Sequence, residues 1–341
     1  MEPSPDADET EIVEIIRGFL AVQSRSAAEE NRPLRRGTHA KGVCANAVFE
    51  VLDVSKGRDP ALASRLAKGI YATACSYPAT VRFANSDPQV NTDWEPDVRG
   101  LSFAVDLAPS GTAGDARIGR QDYSLQSAPT HPFNDVHAFL VFAKVSGAPS
   151  EAIGLGSLPF RDQAVFSETS RAVMQQKRQP VRPYQQLRYW SNVPFRHGSL
   201  DVVKYSVVPA ANPACALEKR NPNALRDELI RHVSMDATMS SFDFGLQFLN
   251  TEDMTYQGKR RDSTFWIENA SIEWPEEQAP FHTVARLTIL PQSILSDQAA
   301  ENMYIDVMEN STTESAPLGR VNRARWYAEG ASRKARRGRR T

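Results

Sequence analysis

Six histidines and three cysteines limit the metal and nucleophile chemistry open to this chain. The histidines are His39, His131, His137, His197, His232 and His282. None has a second histidine four residues away, so a helical H-E-x-x-H zinc pair is absent. Cys44, Cys75 and Cys215 are odd in number and far apart, which argues against a disulfide framework or a structural zinc site. There is no G-x-x-x-x-G-K-[ST] phosphate loop and no G-x-S-x-G elbow, and Gly154-Leu155-Gly156 lacks the third glycine of a dinucleotide fingerprint. One histidine sits in a segment that asks for more, Arg36-Gly37-Thr38-His39-Ala40-Lys41-Gly42. An imidazole at the entry to a strand can take and return protons. A guanidinium three residues earlier offers planar donors to an anion.

These residues need elements to position them. Asp8-Glu9-Thr10 caps a helix carrying Ile12, Val13, Ile15, Ile16, Phe19 and Leu20. Residues 24–38 are polar and basic and read as a loop or arm. Strands are predicted at 47–54, 79–84, 98–107, 121–127, 200–208, 239–249 and 282–290, where β-branched and aromatic residues concentrate. Helices are predicted at 61–70, 135–145, 160–176, 223–232, 297–308 and 319–337. Strands and helices do not alternate one for one. The pattern favours an α+β fold centred on a barrel over a doubly wound sheet. The chain reads as a disordered leader (1–8), a single domain (9–337) and a basic tail (338–341).

The 341 residues carry 40 Lys and Arg against 41 Asp and Glu, a formal net charge of −1. Nine of the basic residues and one glutamate fall between Gly319 and Thr341. The balance argues against a surface built wholly for nucleic acid, although the basic end keeps that partner open. No apolar run is long enough to span a bilayer. The acidic, Pro-rich start is not a secretory signal, so the cytoplasm is the expected compartment.

The segment 36–51, ending Phe49-Glu50-Val51, resembles the distal haem segment of the catalase family. Thr80-Val81-Arg82-Phe83-Ala84 resembles that family's T-V-R-F-S strand, and Asp97-Val98-Arg99-Gly100 its D-x-R-G strand. Asp122–Pro129 and Phe133 resemble the stretch that holds the distal asparagine. Leu318-Gly319-Arg320-Val321-Asn322-Arg323-Ala324-Arg325 is similar to the approach to the proximal helix in small catalase-like proteins.

The resemblance implies a minimal catalase-like fold, an antiparallel β-barrel core with surrounding helices, holding haem b. It implies His39 as the distal acid–base and Arg36 and Arg82 as partners of the haem carboxylates. Gln126 and Ser127 stand at the asparagine pair, and Phe139 falls where the family places an aromatic beside the distal pocket. Of nine tyrosines only Tyr327 has an arginine, Arg323, four residues earlier. This pair is expected to supply the iron ligand and the cation that holds its phenolate, with Lys334 further along the same helix. Thr38 resembles the threonine of allene oxide synthases, and Ala84 replaces the serine that orients the catalase histidine. The expected function is a catalase-related haem peroxidase with weak catalase activity. It would reduce H2O2 or an organic hydroperoxide with an electron donor, as a monomer or homo-oligomer. The alternatives are a fatty-acid hydroperoxide isomerase or lyase, and a non-catalytic haem- or nucleic-acid-binding protein.

Overall fold

The structure is a computed structural model that describes residues 9–107, 119–211 and 213–337. The expected leader and terminal tail lie outside the described residues. The elements in chain order are α1 (Glu9–Glu29), β1 (Gly42–Val51), α2 (Pro60–Leu66), β2 (Cys75–Asn85), β3 (Arg99–Asp106) and β4 (Arg120–Gln126). Next come α3 (Val136–Gly147), α4 (Glu151–Gly156), α5 (Phe160–Lys177), β5 (Tyr189–Trp190), β6 (Phe195–His197), β7 (Asp201–Pro209) and α6 (Ala224–Ile230). The chain continues through β8 (Ser240–Phe248), a small hairpin of β9 (Thr255–Tyr256) and β10 (Lys259–Arg260), α7 (Ser263–Glu268), β11 (Phe281–Ile289), α8 (Asp297–Asn302) and α9 (Arg320–Arg337).

Eight strands close into an antiparallel barrel in the order β5-β4-β3-β2-β1-β11-β8-β7, with β7 pairing back onto β5 and β6 added at the edge of β7. The closure is short: Tyr189 pairs with Val207 and Trp190 with Ser206. An eight-stranded barrel is just wide enough for side chains to fill it. Aromatic rings do so here. Phe103 stacks on Tyr123 at 4.6 Å, and Phe244 meets Phe49, Tyr123 and Tyr205 edge-on or tilted at 5.1–5.4 Å. The Tyr71 and Tyr123 hydroxyls bond each other at 2.7 Å. The interior is a packed core, so a ligand site must lie outside it.

The burial pattern shows where. Most of β1 alternates, as a strand with one wet face does, but Val81–Asn85 of β2 are buried on both faces. Something covers the outer face there. The segment before β1 lies there, with His39 against Gly100 and Arg82, and α1, α3 and α9 pack on one another nearby. The polar stretch expected to be a loop from residue 24 is helical to Glu29 instead, because tertiary bonds hold it: Arg25 Nη1 donates to Ala148 O. The predicted helix at 297–308 stops at Asn302. No helix among the described residues is long and apolar enough to cross a membrane.

Candidate active site

The strand register builds a floor of small residues. Gly42 pairs with Ala84, Ala84 with Gly100, and Gly100 with Gln126. Partners in register share a face, so this row runs across four strands on the barrel's outer side. Its lack of bulk is required. A Cβ on Gly100 would lie 2.8 Å from His39 Cδ2 and 2.9 Å from Nε2, and one on Gly42 would lie 2.5 Å from the Arg82 guanidinium carbon.

His39 rests on this floor in a left-handed backbone conformation, φ +58°. Few non-glycine residues adopt it, and it persists only when neighbours over-determine it. They do: His39 N–H donates to Ser86 O at 3.1 Å, and Arg82 Nη2 donates to His39 O at 2.8 Å. Burial, and then Arg82, Arg325 and Arg36, pull the imidazole from its usual 6.5 down to about 3. The ring is therefore neutral at ordinary pH and can accept a proton. Its Nδ1 lies 3.1 Å from Thr38 Oγ1, and Thr38 Oγ1 donates to Glu329 Oε1 at 2.8 Å.

Beside His39 lies a cavity of about 490 Å³. Its polar wall includes Gln126, His131, Asp87, Lys177, Arg325 and Glu329, and Phe19, Phe133, Phe139 and Phe142 form much of its apolar one. Phe133 stacks on Phe139 at 4.6 Å. The residues anticipated from sequence divide on this geometry. His39, Thr38, Gln126 and Phe139 line the cavity, and Arg82 lies under His39. Ser127 does not line it; one step along from Gln126, its hydroxyl accepts from Arg99 N at 2.9 Å and donates to Gln179 at 3.1 Å. Neither Tyr327, Arg323 nor Lys334 lines it. Tyr327 is 53% exposed. The cavity face of α9 carries Arg325 and Glu329, and a residue two positions from either is turned away by roughly 200°.

A haem must find partners for two carboxylates and a ligand for iron. Arg36, Arg82 and Arg336 are the candidates for the first need, although none of them lines the cavity beside His39 and Arg336 borders a separate one. Each has a buried Nε without a hydrogen-bond partner. Arg36 is pushed down to about 9 by burial and then by Arg82 and Arg336, so the three cations lie close together. Two of them grip the end of α8: Arg36 Nη2 donates to Met303 O, and Arg336 Nη1 donates to Glu301 O at 3.1 Å and to its carboxylate at 2.8 Å. A buried surplus of guanidinium with unused donors suits a dianion. The chemistry of these arginines and of His39 suits the carboxylates and the distal side of a haem. Tyr327 is not offered to its iron. Among the described residues no group of three His, Cys, Asp or Glu forms a metal cluster.

Glu329 and Arg336 were not singled out from the sequence, and Arg325 only as a flank of the expected proximal site. Their signal was a stripe on α9 at spacings of four and seven. A search restricted to tyrosines with an upstream arginine passes over it. Arg336 lies near the end of α9, which runs to Arg337, and is held inside by Glu301.

No family model matches the sequence, and no curated protein sequence matches it significantly. Solved structures do. A fungal catalase matches with TM-score 0.65 and 14% identity over 92% of this chain and 62% of that one. A bacterial catalase gives 0.61 and 15% over 93% and 60%. Catalase A from Saccharomyces cerevisiae gives 0.57 and 14% over 93% and 63%. This chain spans less than two thirds of the length of each, and at such identity the likeness concerns architecture: it has the catalase fold.

Proposed function

We propose that the chain binds haem and turns over a hydroperoxide, with His39 as its acid–base group. One observation carries the reading: a neutral imidazole with Nε2 over Gly100, at an apolar cavity, near three arginines with buried and unused Nε donors. Haem, when bound, would supply the redox chemistry of its iron. Arg36, Arg82 and Arg336 would hold its carboxylates. The protein's own part is proton work. Nε2 accepts the hydroperoxide proton and returns it to the oxygen that leaves as water or alcohol. Gln126, on the same floor, can donate an amide N–H to the peroxide, and the phenylalanines keep bulk water out. Tyr327, half-exposed on α9, has no part in this reading.

The cavity's size and phenyl walls favour an organic hydroperoxide over H2O2, so disproportionation of H2O2 is expected to be weak. A small electron donor would complete a peroxidase cycle. The second reading is rearrangement of a fatty-acid hydroperoxide, which the Thr38–His39 bond and the apolar cavity support. Purified protein supplemented with haem tests both. A Soret band with donor-dependent loss of cumene hydroperoxide supports the peroxidase. Donor-independent conversion of a fatty-acid hydroperoxide to an isomer supports the rearrangement. No Soret band and no consumption would overturn the proposal.

A further inference from the structure

Of the two charged side chains that α9 turns toward the cavity, Arg325 acts on the His39 ring by its charge and Glu329 is connected to it through Thr38. Glu329 accepts the hydroxyl proton of Thr38 at 2.8 Å. A hydroxyl has a single proton to give. With that proton committed to Glu329, Thr38 Oγ1 faces Nδ1, 3.1 Å away, with a lone pair. Nδ1 must then carry the ring proton. Nε2, which bonds to no described residue, keeps its lone pair for the cavity. Without Glu329 the hydroxyl could turn and donate to Nδ1, and the ring proton would move to Nε2, where it blocks the base.

We propose that Glu329 is a positioning residue that, through Thr38, fixes His39 as the Nδ1–H tautomer with Nε2 as the free base. The relay joins α9 to the segment before β1, and Gly37 N–H bonding to Ser332 Oγ at 3.1 Å holds the same two pieces in place. Its effect on turnover rests on the function proposed above; its effect on the tautomer does not.

The test is therefore made on haem-free protein. Nitrogen-15 labelled histidine gives separate signals for protonated and bare ring nitrogens, and loss of signals in His39→Gln assigns the His39 pair. The native chain is expected to show a protonated Nδ1 and a bare Nε2. Glu329→Gln keeps an acceptor oxygen and is expected to keep this pattern. Glu329→Ala should shift the ring toward the Nε2–H form, and Thr38→Val, which cuts the relay from its other end, should lose the native pattern as well. Thr38→Ser should restore it. In haem-loaded protein Glu329→Ala is expected to lower hydroperoxide turnover about tenfold to a hundredfold, with KM little changed. A native tautomer in both Glu329→Ala and Thr38→Val overturns the relay. So does a haem spectrum that changes in Glu329→Ala while the haem-free tautomer stays native, since Glu329 would then act on the haem itself. Absent turnover in the native loaded protein would sink the function and leave the tautomer result standing.

Discussion

At the scale of single residues the site depends on a base held under strain and on the missing side chain beneath it. His39→Gln is expected to cut hydroperoxide turnover by about 10²–10⁴, the usual worth of a positioned acid–base group. The same substitution should change acid stability. The folded imidazole titrates near 3 and the unfolded one near 6.5, so on acidification the unfolded chain takes up this proton first. Stability is lost as pH falls from about 6.5 toward 3, and melting temperatures over that range should fall less in His39→Gln than in the native chain. Gly100→Ala offers a second check. Its methyl group would press on the His39 ring, at a cost of about 1–3 kcal/mol if the strands do not yield. Turnover should drop much more than the melting temperature. His39, Thr38, Arg36 and Arg82 were singled out in the sequence by a family resemblance, and the structure puts His39 and Thr38 at the cavity and Arg82 under His39. Ser127 was misread because consecutive strand residues face opposite ways, and only Gln126 of that pair can face the floor.

At the scale of elements α9 decides the outcome. Its boundaries were readable, since Gly319 at φ +84° precedes a basic amphipathic stretch. Its rotation about its own axis was not, because several faces carry arginines. Contacts with α1 and with the segment before β1 fix that rotation: Gln23 Nε2 donates to Ser332 O at 3.3 Å, and Gly37 N–H to Ser332 Oγ. They turn Arg325 and Glu329 inward and Tyr327 outward. Tyr327→Phe is accordingly expected to leave the absorption spectrum of haem-loaded protein unchanged, and a shifted spectrum would show that the helix turns on loading. The second half of α1 was unreadable for a related reason. Its polar residues lack an apolar stripe, and its helicity is held by partners distant in sequence.

At the scale of the molecule the barrel core and the cavity are separate structures that share one sheet. Strands with β-branched and aromatic runs were readable, while the two-residue β5 that closes the ring was too short to leave a pattern. Phe244 touches the rings of Phe49, Tyr71, Phe103, Tyr123 and Tyr205. Phe244→Ala should cost about 3–5 kcal/mol in denaturant unfolding and leave the folded fraction's affinity for haem unchanged. On the function proposed above, the outer face of this barrel holds haem by its arginines, beside His39. The most direct measurement is a haem titration of the purified chain followed by absorption, alongside Arg36→Met. A saturable Soret band is expected in the native chain, and a clearly weaker affinity in Arg36→Met. No Soret band, or the same titration curve in both proteins, would contradict that proposal.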